Sequence, residues 1–335
     1  MAMSSVSPPP RASSKVPSSG RYRDLFLIGG LVVLVLAGLI GLAVATGWEE
    51  TIAAMRGLSV VEVIALLALS LVNYALRGLR WHLFANRLGL PTRLGQNMRH
   101  FIGGFAMSVT PGRIGELVRM RWLQRETGWP FDRTAPLVLV DRASDLAAMA
   151  ILLALALAFS TTGGGGGAPV AILALIAAFV ATRPRLMRMA GDTAHVASAR
   201  RFPRIFARVR RASKSLSAFQ SPSVLVAAGG LGIVGWFAEG WAFHLLLVWM
   251  GADIGFWSAV GIFIFATLAG GLTGAPGGLG GAEAAMVALL VGYGTPIEIA
   301  LPATLIIRLT TLWFAIAIGL IVFPIAERRS KTSTL

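Results

Sequence analysis

Apolar runs close to twenty residues long recur along this chain, and its polar residues gather in short clusters between them. A soluble core helix would alternate apolar and polar faces. Runs of this length instead suit α-helices that cross the hydrocarbon core of a bilayer, about 30 Å thick. The pattern predicts spans at Leu25–Thr46, Leu58–Phe84, 134–160, 169–182, 223–250 and 297–323. Two further apolar stretches are interrupted. Within 97–126 the apolar half MRHFIGGFAMSVT stops at Pro111-Gly112 and gives way to RIGELVRMRWLQRE. That second half carries four arginines and two glutamates, too many for a helix facing lipid. The stretch 257–294 breaks in the same way at Pro276-Gly277.

The broken stretches are read as re-entrant hairpins that enter and leave on one side. Six true spans then remain, and both termini are cytoplasmic. Under this topology the Lys and Arg residues on the cytoplasmic side number four before residue 25, five in 77–99, five in 113–133, ten in 183–214 and three in 328–331. That is 27 of the 30 in the chain, the bias expected of cytoplasmic loops. Two full spans in place of each hairpin would preserve the sidedness; the charged half at 113–126 argues against that version.

The remaining segments follow from composition. Residues 1–24 are basic and rich in Ser and Pro, which predicts disorder. Basic residues ahead of an apolar run that holds Ala-Val-Ala at 43–45 resemble a secretory signal, but the run is too long for one and is read as an uncleaved helix. The first repeat is assigned to 25–160 and the second to 161–323, with a basic segment at 183–222 and a cytoplasmic tail at 324–335. In the basic segment Phe202, Ile205, Phe206 and Val209 recur at helical spacing. That suits a helix lying on an anionic leaflet, or, more simply, a solvated loop that fixes topology.

Composition agrees with the pattern: 56% of the 335 residues are hydrophobic and 13% charged, and the mean hydropathy is +0.73. The formal charge of +15 resembles a nucleic-acid signal, but its placement beside the spans assigns it to the membrane rule, and no nucleic-acid partner is expected. With no cysteine there are no disulfides, thiolate metal sites or cysteine nucleophiles.

The two halves carry related signals. TPGRIGE followed by LVLVDRASDLAAM in the first half answers APGGLGGAE followed by TLIIRLTTLW in the second. From Pro111 to Arg142 is 31 residues, and from Pro276 to Arg308 is 32. Three spans per unit is an odd number, so the second unit must be inverted, a transporter signature. The predicted fold is therefore an all-α polytopic membrane protein: an inverted repeat of three transmembrane helices plus one re-entrant helical hairpin each. A hairpin turning at membrane depth must bury its backbone or face a watery cavity. Pro sets such a turn, and Gly lets a neighbour approach closely. The half-helix that follows points free N–H groups and its positive dipole end inward, which suits an anion.

Arg142 and Arg308 lie in otherwise apolar spans, where each costs roughly 2.5–3.5 kcal/mol on insertion scales. Their candidate partners are Glu116, Glu283 and Asp145, with Asp141 as a further carboxylate. Either the arginines clamp hairpin carbonyls and carboxylates, or they bind a phosphate-like head group bidentately. Gly112, Arg113, Gly277 and Gly278 complete the candidate binding set at the hairpin tips. Glu239 and His244 in WFAEGWAFH are candidates for proton coupling. Asn73, Arg77 and Arg80 are candidates for a cytoplasmic entrance, or plain interface anchors beside Trp81.

Several chemistries are disfavoured. GAPGGLGGAE lacks the Lys-Ser/Thr of a phosphate-binding P-loop and follows no strand pattern. His82, His100, His195 and His244 are too scattered for a metal site. No nucleophile triad is legible, and no soluble domain is large enough for ATP. The expectation is a protein that is not an enzyme, with no cofactor and no metal.

On RGLRWHLF, TPGRIGELVRMRWL with VDRASDLAAM, and APGGLGGAEAA with IIRLTTLW, the chain resembles the lysylphosphatidylglycerol synthase transmembrane-region family, also called flippase-like or UPF0104 proteins. The resemblance covers about 25–323. It implies similarity to the lipid-translocating half of aminoacyl-phospholipid synthases, and to relatives proposed to move anionic or polyprenyl-linked lipids. The cytosolic aminoacyl-transferase domain of full synthases has no counterpart after the last span, so synthase activity is not expected.

The reading is a lipid flippase of the bacterial inner membrane. A head group, from an anionic phospholipid or a polyprenyl phosphate, would sit between the hairpin tips. Two other classes stay open: an accessory or scaffold subunit of a lipid-modifying enzyme, or a transporter of a small soluble anion. The oligomeric state is not legible.

Overall fold

A computed structural model describes residues 48–110, 117–160 and 221–332, together with Ile172, Ile176, Met189, Thr193 and Phe219. The predicted spans at 25–46 and 169–182 and the basic segment lie outside these residues or almost so. Among the described residues the chain is helical and contains no strand. Four helices are long and apolar enough to cross a membrane: Val60–Arg87, Phe131–Phe159, Pro222–Trp249 and the continuous stretch Ile297–Thr332. Each coincides with a predicted span.

A short helix α1 (Trp48–Gly57) precedes the first of them. Helix α2 (Val60–Arg87) starts at a capping box: the Ser59 hydroxyl accepts from the Glu62 amide, and the Glu62 carboxylate accepts from the Ser59 amide at 2.7 Å. Its faces are reversed relative to a soluble helix. Ser70, Asn73, Tyr74, Arg77 and Arg80 are buried, whereas Val60, Val61, Ile64, Leu71 and Val72 are exposed. Such a helix satisfies its polar stripe against neighbours and offers its apolar stripe to lipid.

Helix α3 (Leu94–Gly103) runs into a 3₁₀ turn (Gly104–Val109), and α4 (Val118–Thr127) follows. Pro111, Gly112, Arg113 and Glu116 lie between them, outside the described residues. Each of α3 and α4 has ten residues, about 15 Å of helix, half a bilayer core. At the base of this pair, burial works to raise the Glu126 carboxyl, but His100, Gln96 and Arg99 hold it down at about 2, so it is ionised. Its counterpart Glu327, near the chain's end, accepts from Arg121, Trp122 and Arg125, each at 2.7 Å, and so ties α4 to the last helix.

Helices α5 (Phe131–Phe159) and α6 (Pro222–Trp249) flank α2. Small residues set the approach: a side chain added at Gly235 would touch the Asn73 backbone at 3.6 Å, and one at Gly240 would meet Val260 at 3.1 Å. Helix α7 (Phe256–Leu272) and α8 (Gly281–Gly292) form the second broken pair, joined through a 3₁₀ turn at Pro276–Gly278. Gly277 and Gly278 there have φ of 60° and 72°, a left-handed backbone that other residues adopt only with strain. Seventeen residues give α7 about 26 Å, also short of a full span.

The last span is one rod in three parts: α9 (Ile297–Arg308), a π turn (Leu309–Trp313) and α10 (Phe314–Thr332). Hydroxyls of Thr310 and Thr311 donate back to Ile306 and Ile307 carbonyls through the widened turn. The 3₁₀ turn after α3 lies against the Pro276–Gly278 turn, so the two broken stretches meet inside the bundle. It also rests on α10 at Gly319, where an added side chain would lie 2.3 Å from the Ala106 amide nitrogen. Gly319→Ala is therefore expected to cost roughly 1–3 kcal/mol, read as a lower thermal midpoint in detergent. Gly230→Ala, which meets nothing within 4 Å, is the control and should leave the midpoint in place.

Candidate functional site

Where the two broken stretches meet α2, α6 and the π turn, the bundle contains a small cavity of about 60 Å³ with a mixed polar and apolar lining. Arg77 and Tyr74 reach it from α2, Glu239 and Trp236 from α6, Thr267 from α7, Arg308 from α9, Thr311 from the π turn, and Ser108 from the turn after α3. Polar side chains at this depth in an apolar bundle need partners, and the structure supplies two separate ion-pair systems.

The first joins α2 to α5. Arg77 Nη2 donates to Asp145 Oδ2 at 2.7 Å. Arg80 Nη2 donates to Asp141 Oδ1 at 2.7 Å and to Asp145 Oδ1 at 2.6 Å. Trp236 Nε1 adds a third donor to Asp145 at 3.1 Å, and its ring lies 4.8 Å beneath the Arg77 guanidinium. Asp141 and Asp145 are one helical turn apart and share the face toward α2. Arg77 and Arg80 share the opposing face in the same way.

The second system ties α9 to the turn between α7 and α8. Arg308 Nε donates to Glu283 Oε1 at 2.6 Å, and Nη2 donates to the Gly277 carbonyl at 2.8 Å. Glu283 sits in the first turn of α8, whose N-terminus has no side-chain cap. Arg308 thus holds a glycine-turn carbonyl and a half-helix start together, while the same residue lines the cavity.

The structure brings Arg308, Glu283 and Gly277 together as one cluster, and Arg77, Arg80 and Asp145 as another. Gly278 packs against the Gly270 backbone. Asn73 is fully buried and faces Glu239. Arg142 stands to one side: its side chain is 31% exposed and its Nη1 is 4.0 Å from Asp145 Oδ2. His244 packs on the Phe256 ring, outside the cavity lining. Arg113, Gly112 and Glu116 lie outside the described residues.

Sequence reading gave no role to Tyr74, Trp236, Thr267 or Thr311, although Trp236 was visible as a neighbour of Glu239. Three of them lie three residues from a charged cavity residue: Tyr74 from Arg77, Trp236 from Glu239, and Thr311 from Arg308. That spacing shares a helical face and is a usable signal. Tyr74 is also bound, its hydroxyl donating to the Thr311 carbonyl within the π turn.

Known proteins carry the same sequence pattern. A relative described as a UPF0104 membrane protein, from Methanothermobacter thermautotrophicus, is 25% identical over 320 residues, covering 88% of this chain and 94% of its own length. A second match to a protein of that description and organism is 31% identical over 109 residues and spans 32% of each chain. The model of the lysylphosphatidylglycerol synthase TM region matches residues 26–319, nearly the whole chain, including both broken stretches and both ion-pair systems. This chain belongs to that family of integral membrane proteins.

Proposed function

We propose that the protein moves an anionic lipid, a phospholipid or a polyprenyl phosphate, between the leaflets of a bacterial inner membrane without changing it chemically. One observation carries the reading: a cavity lined by Arg77, Arg308 and hydroxyl groups lies where the two broken helical stretches meet inside an apolar bundle. A phosphate head group suits two guanidinium groups with hydroxyls beside them, and its tails would remain in lipid. The family's lipid-related description supports the choice of substrate class.

The architecture is that of an inverted repeat of three spans and one re-entrant hairpin, with both termini cytoplasmic. A register across the halves supports it. Arg77-Gly78 and His82 on α2 correspond to Glu239-Gly240 and His244 on α6, each pair 162 residues apart. Repeat-related positions thus place an arginine and a glutamate in one cavity, as expected near a pseudo-two-fold axis. Opening toward one leaflet and then the other is a rocking of one unit against the other.

The test uses proteoliposomes that hold phosphatidylglycerol, an aminoacylated form of it, or a polyprenyl phosphate, with leaflet exchange followed against protein-free vesicles. Exchange of at least one lipid at a rate well above the blank is expected. Folded protein that moves none of them, yet co-purifies with a lipid-modifying enzyme, would point to an accessory subunit. Uptake of inorganic phosphate in its place would point to a soluble anion.

A further inference from the structure

We infer that Glu239 is a proton-binding site which makes the cavity's anion transport proton-coupled: one proton on the Glu239 carboxyl accompanies one anionic head group in the same direction. This rests on the transport reading above and adds its driving force.

Glu239 differs from the other buried acids of the spanning helices in its partners. Three acids among the described residues of the spanning region, Asp141, Asp145 and Glu283, each have an arginine at 2.6–2.7 Å. Of the four buried arginines, Arg77, Arg80 and Arg308 hold these acids, while Arg119 packs over the rings of Trp81, Phe101 and Phe105. Glu239 is the fourth acid of the cluster. It is 4% exposed and lines the cavity, and no ion pair reaches it among the described residues. Burying a carboxylate that no ion pair answers is costly, which suits a group that binds a proton.

Its surroundings fit a carboxyl that changes state. From α2 the Asn73 amide, the Tyr74 phenol and the Arg77 guanidinium face it, from α5 Asp145, and from α9 Arg308. Thr267 of α7 and Thr311 of the π turn line the same space. On its own helix Trp236 is one turn away, while His244 lies outside the lining against Phe256. Asn73 makes no hydrogen bond of good geometry through either amide atom, so its amide is available to donate to a carboxylate or accept from a carboxyl. A neutral Glu239 leaves Arg77 and Arg308 free to exchange their carboxylates for a phosphate. Once the carboxyl O–H gives its proton to water on the far side, the resulting carboxylate competes for the same arginines and the phosphate is released. The balance is one proton and one negative charge, so the step is electroneutral.

Two measurements test this. First, infrared difference spectra of the protein in bilayers, acid minus alkaline, should contain a protonated-carboxyl C=O band that Glu239→Gln removes. A band unchanged in the variant overturns the proton site, whatever the transport activity. Second, proteoliposomes with an acidic lumen should accumulate the transported lipid in the outer leaflet, by about tenfold per pH unit for one-to-one coupling. A potassium diffusion potential should have no effect. Glu239→Gln, nearly the same shape, should still fold, and whatever lipid exchange it retains should ignore the gradient. Wild-type exchange indifferent to the gradient, or accumulation toward the acidic side, overturns the coupling and leaves the transport reading intact. A carboxyl band with no lipid movement at all defeats the transport reading and leaves the proton site standing.

Discussion

Arg308→Ala is expected to abolish lipid exchange, and it is the most damaging single substitution the site offers. Its guanidinium holds Glu283 at 2.6 Å and the Gly277 carbonyl at 2.8 Å while lining the cavity. Alanine strands a buried carboxylate and a turn carbonyl together. Breaking one partner out of a buried pair costs about 3–5 kcal/mol, so the variant loses stability as well as function. Two companions separate these effects. Arg308→Lys keeps the charge but loses the planar fork that grips carbonyl and carboxylate together. It should fold with a modest fall in thermal midpoint and exchange lipid at least about tenfold more slowly, one charge-assisted hydrogen bond being worth about 1.5–3 kcal/mol. The double variant Arg308→Leu/Glu283→Leu removes both charges, so it should recover much of the lost stability yet remain inactive. Exchange by the double variant at the wild-type rate would mean that Arg308 never touches the lipid and serves only to hold the hairpin.

The spans were legible because a helix that crosses a bilayer has to show its length and its apolarity in sequence. Four predicted spans agree with the helices to within a few residues, apart from the last, which runs on to Thr332. The interruption at Pro276-Gly277 was equally visible, since only Pro and Gly suit that turn. Long-range pairing was not. Arg77 and Arg80 look from sequence like interfacial cations at the end of a span, because their partners are 61–68 residues away on α5. What sequence did contain was their shared face, three residues apart. Asp141 and Asp145 also share one, four apart, and two matching polar faces on apolar helices are a reason to pair them. The same geometry explains the position of Arg142. One residue beyond Asp141 it is turned about 100° away from the α2 contact, so it lies on the flank of the cluster while Arg77 enters the cavity. The π turn after Arg308 had no signal in sequence; it arises where the helix accommodates Tyr74 against the Thr311 carbonyl.

Asp145→Asn is expected to be the most destabilising change on the α2–α5 side, and its effect should reach Glu239. The carboxylate binds Arg77 through one oxygen, and Arg80 and Trp236 through the other. Asparagine keeps the shape and one acceptor but removes the charge that neutralises two guanidinium groups, leaving Asp141 as the remaining acid of that cluster. A loss of about 3–5 kcal/mol is expected, read as a fall in thermal midpoint. Asp141→Asn should cost less, because Arg80 keeps its 2.6 Å contact with Asp145. Arg142→Ala should cost least, its pair being long and partly exposed. If Arg142→Ala were as damaging as Asp145→Asn, the cluster would be organised around the flank and not the cavity. The order also bears on coupling. With Asp145 neutral, Arg77, Arg80 and Arg308 face Asp141 and Glu283 and carry one surplus positive charge. Glu239 is the nearest group able to answer it, by giving up its proton. The Asp145→Asn protein should therefore lose the carboxyl infrared band assigned to Glu239 although that residue is intact, and lose its response to a pH gradient with it. A band that survives in Asp145→Asn would show that the cavity's charges are not shared across the two ion-pair systems.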